Sequence, residues 1–255
     1  MTRALAPGDV HVRFRLTGSP DAQRGAEWLS PDEHERAGRF VFDDDRESFV
    51  AAHALLRETL SAFANVPPPE WRFSTGPHGK PELAGAHAGI DLAFNLAHTR
   101  GVVACAVGRG VRVGVDVEPL AQRVDTLDLA RRFFSPSEIL ALEACGEDER
   151  HVRFVELWTL KEAYVKAVGE GLSHPLETFG FGFDSPAGMT FETRDGEDGA
   201  VWRFALFAPS PLYRMALAVR DLPAGHGPAI ATGKSPMYTC AAQPLRLTRG
   251  TSWRL

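Results

Sequence analysis

Asp116 and Glu118 stand two residues apart in the alternating run Val111-Arg112-Val113-Gly114-Val115-Asp116-Val117-Glu118, which Pro119 ends. A strand's period of two puts both acids on one face and Val115 and Val117 on the other. Neighbouring carboxylates repel unless a cation lies between them. Oxygen ligands of this kind suit Mg²⁺, which takes one or two carboxylates plus substrate phosphates. The competing reading is a strand end whose acids are simply solvated. Further along, an apolar sector built from Phe154, Leu157, Trp158, Tyr164, Val165 and Val168 predicts a helix over 148–168. Glu162 and Lys166 lie one turn apart at the edge of that sector. Lys161 falls inside it, where a lone ammonium is costly without an anionic partner. Taken singly, these are a surface ion pair and a snorkelling lysine. Taken together, three acids and two lysines converge near one strand end, which outlines a metal–phosphate site.

The elements that must hold these side chains come twice. Ser30-Pro31-Asp32-Glu33 reads as a helix start: Ser as N-cap, Pro at the first position, Glu closing a capping box. A long helix over 43–64 follows. Ser135-Pro136-Ser137-Glu138 repeats that start and leads to the helix over 148–168. A period-two strand precedes each pair, Val10–Leu16 in one case and Val111–Glu118 in the other. Strands are expected after each pair: 71–73, 92–97 and 102–107 first, then 179–183, 189–193, 201–207 and 213–220. Turns at Thr99-Arg100-Gly101 and Gly108-Arg109-Gly110 suggest hairpins. The expectation is an α+β fold, an internal duplication of two similar α/β halves forming a pseudo-dimer. The halves are 1–110 and 111–222, with the site in the crevice between them. Residues 223–255, rich in Gly, Ala and Pro with Lys234, Arg246, Arg249 and Arg254, read as a loosely ordered basic tail.

Composition narrows the classes. The chain has 255 residues, 44% hydrophobic and 24% charged, values of a globular protein. No apolar run is long enough to span a bilayer, and no apolar stretch near Met1 reads as a secretory signal. The net charge of −5 argues against a polynucleotide partner. Cys105, Cys145 and Cys240 lie far apart without a CxxC, which fits a reducing cytoplasm and argues against a zinc site.

The segments Val113–Pro119, Phe133–Glu138 and Leu157-Trp158-Thr159-Leu160-Lys161-Glu162-Ala163-Tyr164-Val165-Lys166-Ala167 resemble the 4′-phosphopantetheinyl transferases, nearest to the larger, Sfp-type pseudo-dimeric class. Gly79-Lys80-Pro81 and Phe94-Asn95-Leu96-Ala97-His98 are similar to that family's GKP and FNxSH segments. The resemblance implies transfer of the phosphopantetheine arm of coenzyme A to a serine of an acyl or peptidyl carrier protein, with Mg²⁺ and release of adenosine 3′,5′-bisphosphate. It implies that Asp116, Glu118 and Glu162 hold the metal. Lys166 would serve the leaving group, with Lys161 and Asp116 also at the phosphates. His98 would take the 3′-phosphate, and Lys80 and Pro81 would line the adenine end. Glu138 is implied as the base that takes the serine proton, whereas locally it is the third residue of a capping box.

Two positions depart from the family pattern. Ala97 stands where a serine often precedes the phosphate-binding histidine, so one hydroxyl contact should be missing. Arg46 fits by position as a further phosphate contact, while His53 stands where a second arginine is expected. Arg131-Arg132-Phe133-Phe134 is a segment that could meet an acidic carrier helix. The expected partners are coenzyme A and carrier domains, without nucleic acid or membrane, and the expected state is a monomer. A metal-dependent phosphodiesterase or nuclease, and a non-catalytic coenzyme A or carrier-binding module, are the alternatives.

Overall fold

A computed structural model describes residues 4–19, 21–76, 79–122, 124–171, 174–185, 188–193, 201–221 and 238–239. The chain runs β1 (Val10–Leu16), α1 (Pro31–Gly38), α2 (Asp43–Ser61), β2 (Phe73–Thr75), β3 (Pro81–Leu83), β4 (Ala93–Thr99) and β5 (Val102–Gly108). It continues through β6 (Val111–Pro119), α3 (Thr126–Phe133), α4 (Pro136–Ala144), α5 (Glu147–Val168), β7 (Phe179–Ser185) and β8 (Gly188–Thr193). β9 (Trp202–Phe207), β10 (Tyr213–Asp221) and the two-residue β11 (Tyr238–Thr239) complete it.

Two antiparallel three-stranded sheets repeat one topology, with orders β1-β5-β4 and β6-β10-β9. In each, the last strand is central, the first strand lies on one edge and the penultimate strand on the other. The sheets bury one face of each against the other. Val10, Val12, Ala104 and Ala106 of the first meet Val113, Val115, Leu217 and Val219 of the second. The outer face of each sheet carries a long helix. α2 sets Leu55, Leu56 and Leu60 against Val103, Cys105 and Val107 of β5. α5 sets Ala163 and Ala167 against Ala216 and Ala218 of β10. That two-sided burial explains why β5 reads Val-Val-Ala-Cys-Ala-Val-Gly with every residue buried.

Both capping boxes form. The Ser30 hydroxyl accepts from Glu33 N–H and Ser135 from Glu138 N–H, while each glutamate accepts from its serine N–H. Acids fill the first turns of α2 and α5, where the positive end of the helix dipole favours them. Gly169, at φ 90°, ends α5 in the left-handed conformation and donates to the Val165 carbonyl.

Several expectations need correction. Gly108–Gly110 does not make a hairpin. β5 and β6 belong to different sheets, and β6 pairs with β10 because its valines are needed at the interface between the sheets. The strand expected at 71–73 starts at Phe73 and follows a 3-10 turn, Pro68–Glu70, while the Trp71 side chain is fully buried. α3, capped by Asp125, has no counterpart among the expected elements. In the proposed tail only Tyr238–Thr239 is described, paired with Phe191 and Thr190 of β8, and the remainder of 223–255 lies outside the described residues. Among the described residues no helix is long and apolar enough to cross a membrane.

Candidate active site

The acids of β6 meet α5 because the helix backbone lies directly on the strand. A Cβ on Gly114 would sit 2.0 Å from the Ala163 carbonyl oxygen and 2.5 Å from Ala167 N. Only glycine permits that approach, two residues before Asp116, and it brings Glu162 and Lys166 over the acidic end of the strand. The Lys166 ammonium is 2.6 Å from Asp116 Oδ1. Asp116 is 6% exposed, and its second oxygen, Oδ2, is buried without a hydrogen-bond partner.

The neighbouring acids feel this crowding. Burial, then the Asp116 charge, pushes the Glu118 carboxyl up to about 7, against the pull of Lys166. Burial and Asp116 raise Glu162 in the same way. Three carboxylates with one lysine among them lack positive charge. Among the described residues, no group of three or more His, Cys, Asp or Glu side chains is arranged to hold a metal ion. The residues nonetheless fit a hard cation that keeps waters and substrate oxygens. All donors are carboxylates, and one buried oxygen has no partner.

His98 follows Ala97 on β4 and turns to the opposite face. Its ring is accessible, yet the protein around it and then the Lys166 charge lower its pKa; His53, Asp45 and Arg36 also act on it. Two of the groups acting on it, His53 and Arg36, line a cavity of about 540 Å³ together with Glu33, Thr75, Gly79 and Pro81. Arg36, which the sequence reading missed, is one helical turn beyond the capping-box glutamate, and that spacing is the signal that could have found it. A smaller apolar slot of about 260 Å³ begins at Glu118 and runs between Leu129 of α3 and Phe154 and Trp158 of α5.

Other expected site residues lie elsewhere. Lys161 is fully buried and points away from the acid cluster. Its ammonium is 2.8 Å from Glu138 Oε2 and donates to the carbonyls of Leu176 (2.8 Å) and Phe179 (2.7 Å). Burial lowers its pKa and Glu138 opposes the shift. The anionic partner that its place on the apolar face requires is therefore Glu138, and the expected contact with the phosphates is corrected. Glu138 is corrected with it as a candidate base. It is 1% exposed and accepts from Ser135 N–H (2.8 Å), from Phe181 N–H (2.9 Å) and from Lys161.

Ala97 is buried with its side chain in the interface between the sheets, so a hydroxyl there would not face the same space as His98. The missing phosphate contact expected at this position is thus not a gap in the pocket. Arg46 is half-exposed and pairs with Asp43 in the first turn of α2. Pro81 lines the cavity with Arg36, but Lys80 does not. It faces a second cavity of about 490 Å³ together with Arg112 and Val113, and donates to the Lys166 carbonyl at 2.9 Å. Of the Arg131–Phe134 segment, Phe134 is core, Arg131 pairs with Glu143, and Arg132 and Phe133 remain at the surface.

Comparison with known proteins identifies the family. Residues 112–219 match the model of the 4′-phosphopantetheinyl transferase superfamily, and residues 19–109 match that of the 4′-phosphopantetheinyl transferase N-terminal region. The 4′-phosphopantetheinyl transferase HetI of Nostoc sp. is 38% identical over 171 residues, 66% of this chain and 72% of that protein. The 4′-phosphopantetheinyl transferase Sfp of Bacillus subtilis is 30% identical over 206 residues, covering 80% and 87%. The L-aminoadipate-semialdehyde dehydrogenase-phosphopantetheinyl transferase of Mus musculus is 27% identical over 238 residues, covering 85% and 77%. The chain belongs to the 4′-phosphopantetheinyl transferase superfamily.

Proposed function

We propose that this transferase moves the 4′-phosphopantetheine group of coenzyme A to a carrier-protein serine at the Asp116–Glu118–Glu162–Lys166 cluster, with Mg²⁺ bound to the three carboxylates. The observation that carries the assignment is the partnerless buried Oδ2 of Asp116 beside two carboxyls held above their ordinary pKa. When bound, a divalent cation supplies charge to the pyrophosphate oxygens, the main service such chemistry needs. The remaining work falls to the chain. Arg36 and His53 line the space for the 3′-phosphate, with His98 within reach of their charges, and Pro81 and Gly79 line that for the adenine. The slot beginning at Glu118 offers an apolar wall to the neutral pantetheine arm.

In the reaction the serine oxygen forms a new bond to the phosphorus of phosphopantetheine, and the bond from that phosphorus to the bridging oxygen breaks. Adenosine 3′,5′-bisphosphate leaves with that oxygen. Lys166 Nζ turns from Asp116 Oδ1 to the leaving oxygen and holds a proton there. With Glu138 enclosed, Glu162 is the carboxylate of the cluster left to take the serine proton. The exposed Arg132 and Phe133 beside the slot suit an acidic carrier helix. Both halves of the site lie in one chain, so we read the enzyme as a monomer. The wide spacing of its cysteines supports reading it as a cytoplasmic enzyme. The phosphodiesterase alternative has no support in either family match.

The test is the intact mass of an apo carrier incubated with this protein, coenzyme A and Mg²⁺. A gain of one phosphopantetheine is expected. Unchanged carrier mass across fatty-acid, polyketide and peptidyl carriers would refute the assignment.

A further inference from the structure

The reacting residues proposed above, Asp116, Glu118, Glu162 and Lys166, all belong to the second half, yet two polar ties from the first half end on them or beside them. Lys80 Nζ donates to the main-chain carbonyl of Lys166 at 2.9 Å. Val115 N–H, one residue before Asp116, donates to Asn95 Oδ1 at 2.9 Å in a buried setting.

Both ties answer a need of the backbone. The last carbonyls of a helix have no partner within it. At the end of α5 the Gly169 N–H takes the Val165 carbonyl, and Lys80 takes the next one. A cation at a helix C-terminus is also favoured by the dipole. β6 is the edge of its sheet, so an outward N–H must find a partner beyond β10. Asn95, on β4 of the facing sheet and 7% exposed, supplies it. Lys80 pays for this place in solvation: burial, then the Arg112 charge, lowers its pKa, and Glu82 restores only part. It lines none of the cavity that holds Arg36 and His53.

We propose that Lys80 and Asn95 are positioning residues, through which the first half sets the distance between Asp116 on β6 and Lys166 on α5. Neither side chain then needs to touch coenzyme A. A lysine tied to a carbonyl fixes where α5 ends, and an asparagine tied to Val115 fixes the height of the strand against it. The proposal rests on the functional reading above for its effect on rate, but not for its effect on the helix.

The experiment compares Lys80→Met, Lys80→Arg and Asn95→Ala with the wild type by carrier loading, by calorimetric affinity for coenzyme A and by hydrogen exchange at residues 163–169. A misplacement near 1 Å is expected to lower kcat on the order of 10–10²-fold in Lys80→Met and Asn95→Ala, with coenzyme A affinity held within about twofold. Exchange in the last turn of α5 should quicken in Lys80→Met, and Lys80→Arg should recover both rate and protection. If affinity for coenzyme A falls while kcat stands, Lys80 is a ligand contact and the proposal is wrong. Unchanged kcat with unchanged exchange refutes it equally. A wild type that loads no carrier defeats the functional reading alone, since the exchange comparison still decides whether Lys80 holds the helix.

Discussion

The two halves close the same clasp in different ways. In the first, Glu33 of the capping box meets Arg57 of α2, and Arg57 also donates to the carbonyls of Pro68 and Trp71, at the start and just past the end of a 3-10 turn. In the second, Glu138 meets Lys161 of α5, which donates to Leu176 and Phe179, the corresponding places in the turn Leu176–Thr178. The cations differ, and so does what lies over them. β7 and β8 bring Phe179, Phe181 and Phe191 over the second clasp, and Phe181 N–H takes the spare oxygen of Glu138. β2 and β3 are three residues each and leave the first clasp beside a cavity of about 540 Å³. There the spare oxygen of Glu33 is bound to His53 Nδ1 at 2.7 Å instead. One supersecondary unit therefore serves as core in one copy and as a pocket wall in the other. The length and apolarity of the covering hairpin decide which.

The largest expected effect breaks the symmetry at the second half. Asp116→Ala or Glu162→Ala should lower kcat for carrier loading by at least ~10²–10³, the usual loss of a preorganised charge partner. Melting temperature should hardly move, because each change relieves carboxylate repulsion. Activity surviving in Asp116→Ala would remove the cluster from the mechanism.

Next comes the clasp itself. Lys161→Met leaves Glu138 charged and enclosed, and urea titration should show a loss of about 3–5 kcal/mol. Arg57→Met should cost less, since Glu33 keeps His53 and some contact with water. Equal losses would mean that the cover over the clasp does not matter. Glu138→Gln separates structure from chemistry: the clasp predicts a fall in stability, whereas a base predicts a fall in kcat at unchanged stability.

The pH dependence should have opposite signs in the two halves. Glu33 is held down to about 2, its burial outweighed by hydrogen bonds from His53 and Ser30 and by the charges of His53 and Arg57. The unfolded glutamate binds its proton near 4.5, so this stability is present above 4.5 and lost as pH falls toward 2. Glu118, raised to about 7, is protonated in the folded metal-free protein where the unfolded chain is not. Stability from this group should fall as pH rises from 4.5 to 7, the reverse slope. Thermal melts in EDTA should show the second slope, and Glu118→Gln should lessen it, with Glu162 keeping a share of the same sign. Saturating Mg²⁺ should shrink it, whereas an identical slope with and without Mg²⁺ would argue against a cation at Glu118.

The smallest effect concerns Ala97. Ala97→Ser should leave coenzyme A affinity unchanged and cost roughly 1 kcal/mol, from a hydroxyl buried between the sheets. Tighter binding of coenzyme A by this variant would show that the side chain reaches the pocket after all.

Much of this was legible in the chain. The two capping boxes, the alternating strands and the position of Asp116 beside Glu118 follow from local rules, because a cap or a strand face depends on residues within one turn or two positions. The apolar stripe of α5 likewise showed that Lys161 needed an anion. Which anion it takes was not legible, because Glu138 lies 23 residues earlier and reaches Lys161 only after α4 folds back beside α5. For the same reason the local sequence could not show that Gly114 seats α5 on β6, that Ala97 and His98 face different spaces, or that Lys80 reaches across to α5. Residue spacing fixes what a segment can form and which side chains share its face. Which charge meets which, and which copy of a repeated unit stays open, depends on contacts between segments far apart in the chain, and only the packed tertiary structure decides them.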